Sequence, residues 1–142
     1  MPHKGFKLAP QVPSNSTKLV SFQQFVTRAQ FTDGGATAGT FSLNHSIPAG
    51  ARFAFALLTS ITGFTGDTSA VITVGDADVD RYNTGTPSVF TTAAAGVDMG
   101  VPSGTAWHTA AATPVITITS ATDFTNVTAG SLTITLFYYG VV

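Results

Sequence analysis

A chain of 142 residues is one ordinary domain, long enough to bury about two thirds of the surface its unfolded form exposes. Charged residues supply only 9% of it, with six Lys+Arg, seven Asp and no Glu, against 44% hydrophobic residues, a balance that excludes intrinsic disorder and argues against long solvated helices. A net charge of −1 offers no field for nucleic acid or an anionic membrane, and the lack of cysteine excludes disulfide scaffolds and thiolate metal sites.

Residues 1–17 read as an extended arm. Pro2, Pro10 and Pro13 hold the backbone extended. The arm lacks the continuous apolar stretch of a signal peptide, and nowhere is there an apolar run long enough to span a bilayer. The chain is therefore expected to be made in a cytoplasm and to stay soluble. As a bare terminus the arm would do nothing; as a tether it would use Phe6 and Leu8 as apolar anchors, with Lys4 and Lys7 meeting acidic groups.

From Lys18 the hydrophobic period becomes two and continues through Phe31 to the turn Asp33-Gly34-Gly35. A second strand is predicted over Thr40–His45, ending at Ile47-Pro48-Ala49-Gly50, where Pro presets φ and Gly permits a positive φ. Arg52–Leu58 alternates large and small apolar residues, and the β-branched Thr59, Ile61 and Thr62 that follow disfavour a helix. Gly63 to Gly66 is expected to break the chain. Ser69–Val74 is the next predicted strand, followed by shorter candidates around Arg81-Tyr82 and Ser88–Thr91. Pro114–Thr119 and Ser131–Tyr139 are the clearest strands, with Thr on one face and large aliphatic residues on the other, the pattern of a sheet wet on one side and dry on the other. About eight strands, frequent turns and no helix predict a single antiparallel β-sandwich or jelly-roll-like domain over residues 18–142.

Catalytic chemistry finds little support. Asp76-Ala77-Asp78-Val79-Asp80 resembles the start of a calcium loop, but Arg81 stands where such a loop needs Gly, and Pro87 where it needs its closing Glu. These residues read instead as a structural turn in which Asp76, Asp78 and Asp80 cap backbone N–H groups and Arg81 pairs with one of them. His3, His45 and His108 lack metal-ligand spacing, and no nucleophile motif accompanies them. No enzyme activity, metal or cofactor is expected. Trp107-His108 lies in a loop, where it can serve as an anchor for a protein or a sugar or as a lid over the end of the core.

The segments Ile47-Pro48-Ala49-Gly50 and Val71-Ile72-Thr73-Val74-Gly75-Asp76-Ala77-Asp78-Val79-Asp80-Arg81-Tyr82 resemble those of small tailed-bacteriophage head decoration, or cement, proteins. The resemblance runs through residues 18–142 in the order of the elements. It implies a β-sandwich that oligomerises, as a homotrimer in preference to a dimer, and clamps the major capsid protein from outside the virion. The implied partners exclude nucleic acid and membrane. The competing expectation is a carbohydrate- or receptor-binding module on a virion fibre or tail, using Trp107. A small cupin-type enzyme would need a His/carboxylate metal set that this chain does not supply.

Overall fold

The computed structural model describes residues 17–93, 96–102 and 107–141. The expected arm, with Lys4, Phe6, Lys7 and Leu8, lies outside the described residues but for the backbone of Thr17, which already belongs to a strand.

Among the described residues, eight strands form two antiparallel four-stranded sheets. In chain order they are β1 (Thr17–Thr27), β2 (Thr32–Asp33), β3 (Ala38–Ser42), β4 (Arg52–Thr65), β5 (Ala70–Gly75), β6 (Val97–Asp98), β7 (Val115–Ser120) and β8 (Ala129–Val141). The first sheet runs β1-β8-β4-β6 and the second β2-β3-β7-β5. The all-β sandwich expected from the alternating pattern is the observed architecture.

Alternation puts Leu132, Ile134, Leu136 and Tyr138 of β8 inward, facing Ile72 and Val74 of β5 and Ile116 and Ile118 of β7 in one continuous core. Each such side chain contributes about 1.5–3 kcal/mol on burial. The strand β4 keeps its inward set in phase by slipping register. Phe53 is buried, then Ala56 and Leu58, then Ile61, then Phe64, and the register shifts fall between Phe53 and Phe55, Thr59 and Thr62, and Thr62 and Thr65. Each slip inserts a residue and returns the apolar side chain to the core. Ser60, beside the second slip, sits at φ 49.

Three local departures from the sequence expectation have clear causes. The first strand stops at Thr27 because Arg28–Gln30 forms a 3-10 turn, in which the Gln30 side chain accepts the Thr27 N–H at 2.8 Å. The Arg28 guanidinium meanwhile donates to the carbonyls of Val127 and Phe124 and lies 4.1 Å over the Phe124 ring. The expected break at Gly63 does not occur: β4 continues to Thr65, its N–H of Gly63 donating to Thr92 Oγ1 at 3.1 Å. Arg81-Tyr82 forms a turn, and Ser88–Thr91 contributes only an isolated bridge from Ser88 to Val71.

The sheet edges are treated unequally. On β5, Val74, Ile72 and Ala70 bond to Tyr82, Pro87 and Val89. On β4, the edge away from β8 is covered by β6, by Ala93 bridging Ile61, and by Trp107 bridging Arg52. The edge of β3 carries β2. Among the described residues, β1 has a strand neighbour on one side only. No helix among the described residues is long and apolar enough to cross a membrane.

Candidate interaction surface

The side of the first sheet turned away from the core is built by the second half of the same alternation. Leu19, Ser21, Gln23 and Phe25 on β1 stand opposite Tyr139, Phe137, Thr135 and Thr133 on β8. These in turn face Arg52, Phe55, Leu57 and Thr59 on β4. A wet face would carry charged residues at such positions. Here Arg52 is the one ionised side chain in the three rows, and on β6 the exposed Asp98, register partner of Leu57, adds a carboxylate at the margin of the face. Leu19 is 52% exposed and Phe25 58%. Phe55 and Phe137 stack with ring centroids 4.4 Å apart, and Gln23 Nε2 donates to Thr135 Oγ1 at 3.2 Å.

Trp107 stands at one corner of this face. Its backbone bridges Arg52, whose guanidinium lies 5.7 Å from the indole centroid, and its side chain is 55% exposed. Arg52 is also the register partner of Tyr139, so Trp107 continues the row that starts at Leu19. The adjacent His108 points the other way. It is buried, donates its backbone N–H to Ala51 O at 2.9 Å, and packs against Tyr82 with ring centroids 5.5 Å apart. Of the two loop residues named from sequence, Trp107 reaches the surface, whereas His108 lies in the interior where it cannot contact a partner. Burial pushes the His108 pKa down and the nearby Arg81 guanidinium adds to the effect, against a smaller opposing pull from Asp76.

Behind that corner lies the turn after β5. Asp76 Oδ1 accepts the Asp78 N–H at 3.1 Å. Its Oδ2 accepts from Arg81 Nη1 at 2.7 Å and from the Tyr82 hydroxyl at 3.2 Å. Burial works to raise the Asp76 pKa, but those three donors outweigh it and hold the carboxyl below its ordinary value. Tyr82 is buried, stacks on Phe53 at 4.4 Å, and is pushed upward by its burial and the Asp76 charge. Asp78 and Asp80 are exposed; their mutual hydrogen bond raises the Asp78 pKa. Arg81 Nη2 reaches the Trp107 carbonyl at 3.3 Å, tying the turn to the corner of the outer face. The arrangement fixes a loop. Among the described residues, no three His, Cys, Asp or Glu side chains converge as metal ligands would.

A second histidine packs at the same end of β8, against its inward side. His45 stacks on Phe22 at 4.3 Å and its Nε2 lies 2.9 Å from the Tyr138 hydroxyl.

The outer-face residues Leu19, Phe25, Phe55, Phe137 and Tyr139 were not singled out by sequence reasoning. The signal was present as large apolar residues at outward positions where a wet strand face carries polar ones, most plainly Phe137 and Tyr139 two apart on β8.

No protein-family model matches this chain, and no curated protein sequence does. Among solved structures, its fold is similar to a chain of a cyanophage Pam1 capsid asymmetric unit, with a TM-score of 0.56 and 20% sequence identity over 98% of this chain and 96% of that one. At that identity the likeness is one of fold.

Proposed function

We propose that this protein is a structural component of a phage virion, a decoration protein that binds the outside of the head, touches the major capsid protein and associates with copies of itself. It is made in the host cytoplasm and acts without catalysis. The observation that carries the reading is the largely uncharged aromatic face that β1, β8 and β4 build on the first sheet, joined at Arg52 to the exposed Trp107. A surface depleted of charge and enriched in aromatic residues is the composition of an interface core. Desolvating Thr, Ser and Phe costs far less than desolvating Lys or Glu. Many weak copies on a shell reinforce one another. The similarity of fold to a chain of a phage capsid assembly supports the same reading.

The test is stoichiometric addition of the purified protein to undecorated phage heads, followed by sedimentation. Saturable binding in fixed ratio to the major capsid protein is expected; a protein left wholly in the supernatant removes the reading.

A second reading rests on Trp107 alone. An indole 55% exposed beside a guanidinium is a platform on which a sugar ring can stack. A glycan screen with Trp107→Ala as control separates the two: a hit abolished by that change favours a carbohydrate-binding module on a fibre or tail.

A further inference from the structure

We infer that β1 is a dimerisation strand, which pairs antiparallel with β1 of a second copy about a twofold axis through Phe22 and joins the two first sheets into one.

Unequal edge protection is the first ground. Folded proteins cover, shorten or charge their sheet edges, because a long row of unpaired N–H and C=O groups recruits other strands. The other flanks are taken up by β2, β6 and the segments that bond to β4 and β5. The strand β1 is eleven residues long and has β8 on one side only among the described residues. It contains no Pro, and Lys18 is its one charge. Only short strands stand at the other ends of the sheets, β2 and β6 with two residues each and β5 already bonded along its outer side. A head-to-tail ring needs two different long edges, whereas a twofold dimer needs one. The unit that this edge supports is therefore twofold.

The second ground is self-complementarity. With Phe22 on the axis, Leu19 stands opposite Phe25 of the second copy and Phe25 opposite its Leu19. These are the exposed apolar side chains of the strand. Ser21 stands opposite Gln23, and Lys18 opposite Val26, so the two lysines lie at opposite ends of the pairing. Directly opposed residues have Cβ atoms about 4.5–5.5 Å apart, which turns each Leu19–Phe25 pair into a contact. The carboxylate-free rows then run continuously across both copies.

The inference does not depend on binding to a shell. A dimer that ignores phage heads leaves it standing and removes the proposed function; a monomer that decorates heads removes it and leaves the head binding of that function standing.

Sedimentation equilibrium of the full chain supplies the test, with thermal unfolding of each variant confirming the fold. Wild type is expected to be dimeric. L19K/F25K puts like charges directly opposite each other and should weaken association at least tenfold. L19K/F25D puts Lys opposite Asp in this register alone and should restore it. The chain has no native cysteine, so a mixture of Ser21→Cys and Gln23→Cys proteins should form a disulfide-linked dimer more readily than either protein alone. A wild-type monomer, a dimer untouched by L19K/F25K, no recovery in L19K/F25D, or stronger cross-linking by Ser21→Cys alone each overturns the proposal. So does a chain that dimerises only after residues 1–16 are deleted, since its own N-terminal segment would then occupy the edge.

Discussion

Phe55 and Phe137 stack across neighbouring strands on the solvent side of the first sheet, centroids 4.4 Å apart and ring planes 20° from parallel. Neither ring belongs to the core, and Phe55 is 39% exposed. An aromatic pair held in register on an outer face fits a contact surface better than a stability device, and it leads to the first prediction.

Phe55→Ala should cost the fold only about 1 kcal/mol, since part of the ring is already in water. Binding to phage heads should fall at least tenfold, equivalent to about 1.4 kcal/mol. Urea unfolding and co-sedimentation of the same preparation separate the two effects. Unchanged binding would move the contact surface elsewhere.

The ion pair behind the Trp107 corner behaves differently. Asp76→Ala leaves the Arg81 guanidinium and the buried Tyr82 without their shared acceptor. A cost of about 2 kcal/mol is expected, short of a fully buried pair because the Arg81 side chain remains 26% exposed. The double variant Asp76→Ala/Arg81→Met should recover part of the loss, because no unpaired charge is left behind. Denaturant midpoints at pH 7 measure both.

Acidification should destabilise the protein before its carboxylates titrate. Burial lowers the pKa of both His45 and His108 below the ordinary 6.5. Burial beside Tyr138 in one case, and burial beside Tyr82 with the Arg81 charge in the other, outweighing the smaller opposing pull of Asp76, favour each ring neutral in the folded protein. The unfolded chain therefore takes up protons first, and stability present above pH 6.5 is lost as pH falls through the lower folded values. The two histidines act with the same sign. Asp67 adds a later loss: hydrogen bonds from Thr122 and Thr68 hold it down to about 2, so its contribution persists above 3.8 and goes as pH falls toward 2. Urea titrations at pH 7.5, 6.0 and 5.0 should show a steady decline, less steep in His108→Phe. Flat stability over that interval contradicts the assignment.

Thr117 is a site for stabilisation. Its hydroxyl, and that of its register partner Thr73, is buried without a hydrogen-bond partner among the described residues. Thr117→Val removes an unsatisfied polar atom while keeping the β-branched shape, and should raise stability by about 0.5–1 kcal/mol. A loss of stability in a thermal melt would show that the hydroxyl has a partner after all.

Local chemistry determined a good part of this molecule. Period-two patterning located β1, β4, β5, β7 and β8, because a strand with one face in the core must alternate whatever its partner is. The pairing of Asp76 with Arg81 was legible for the same reason: both ends of the contact lie in one short turn. Tertiary structure alone decided the rest. Phe55 meets Phe137, and Leu19 joins the row of Tyr139 and Arg52, through registers set between strands far apart in the chain. Trp107 faces outward and His108 inward because one backbone bridge to Arg52 and one bond to Ala51 orient that loop. Which edge lacks a strand neighbour among the described residues is a property of both sheets at once, and no window of sequence contains it.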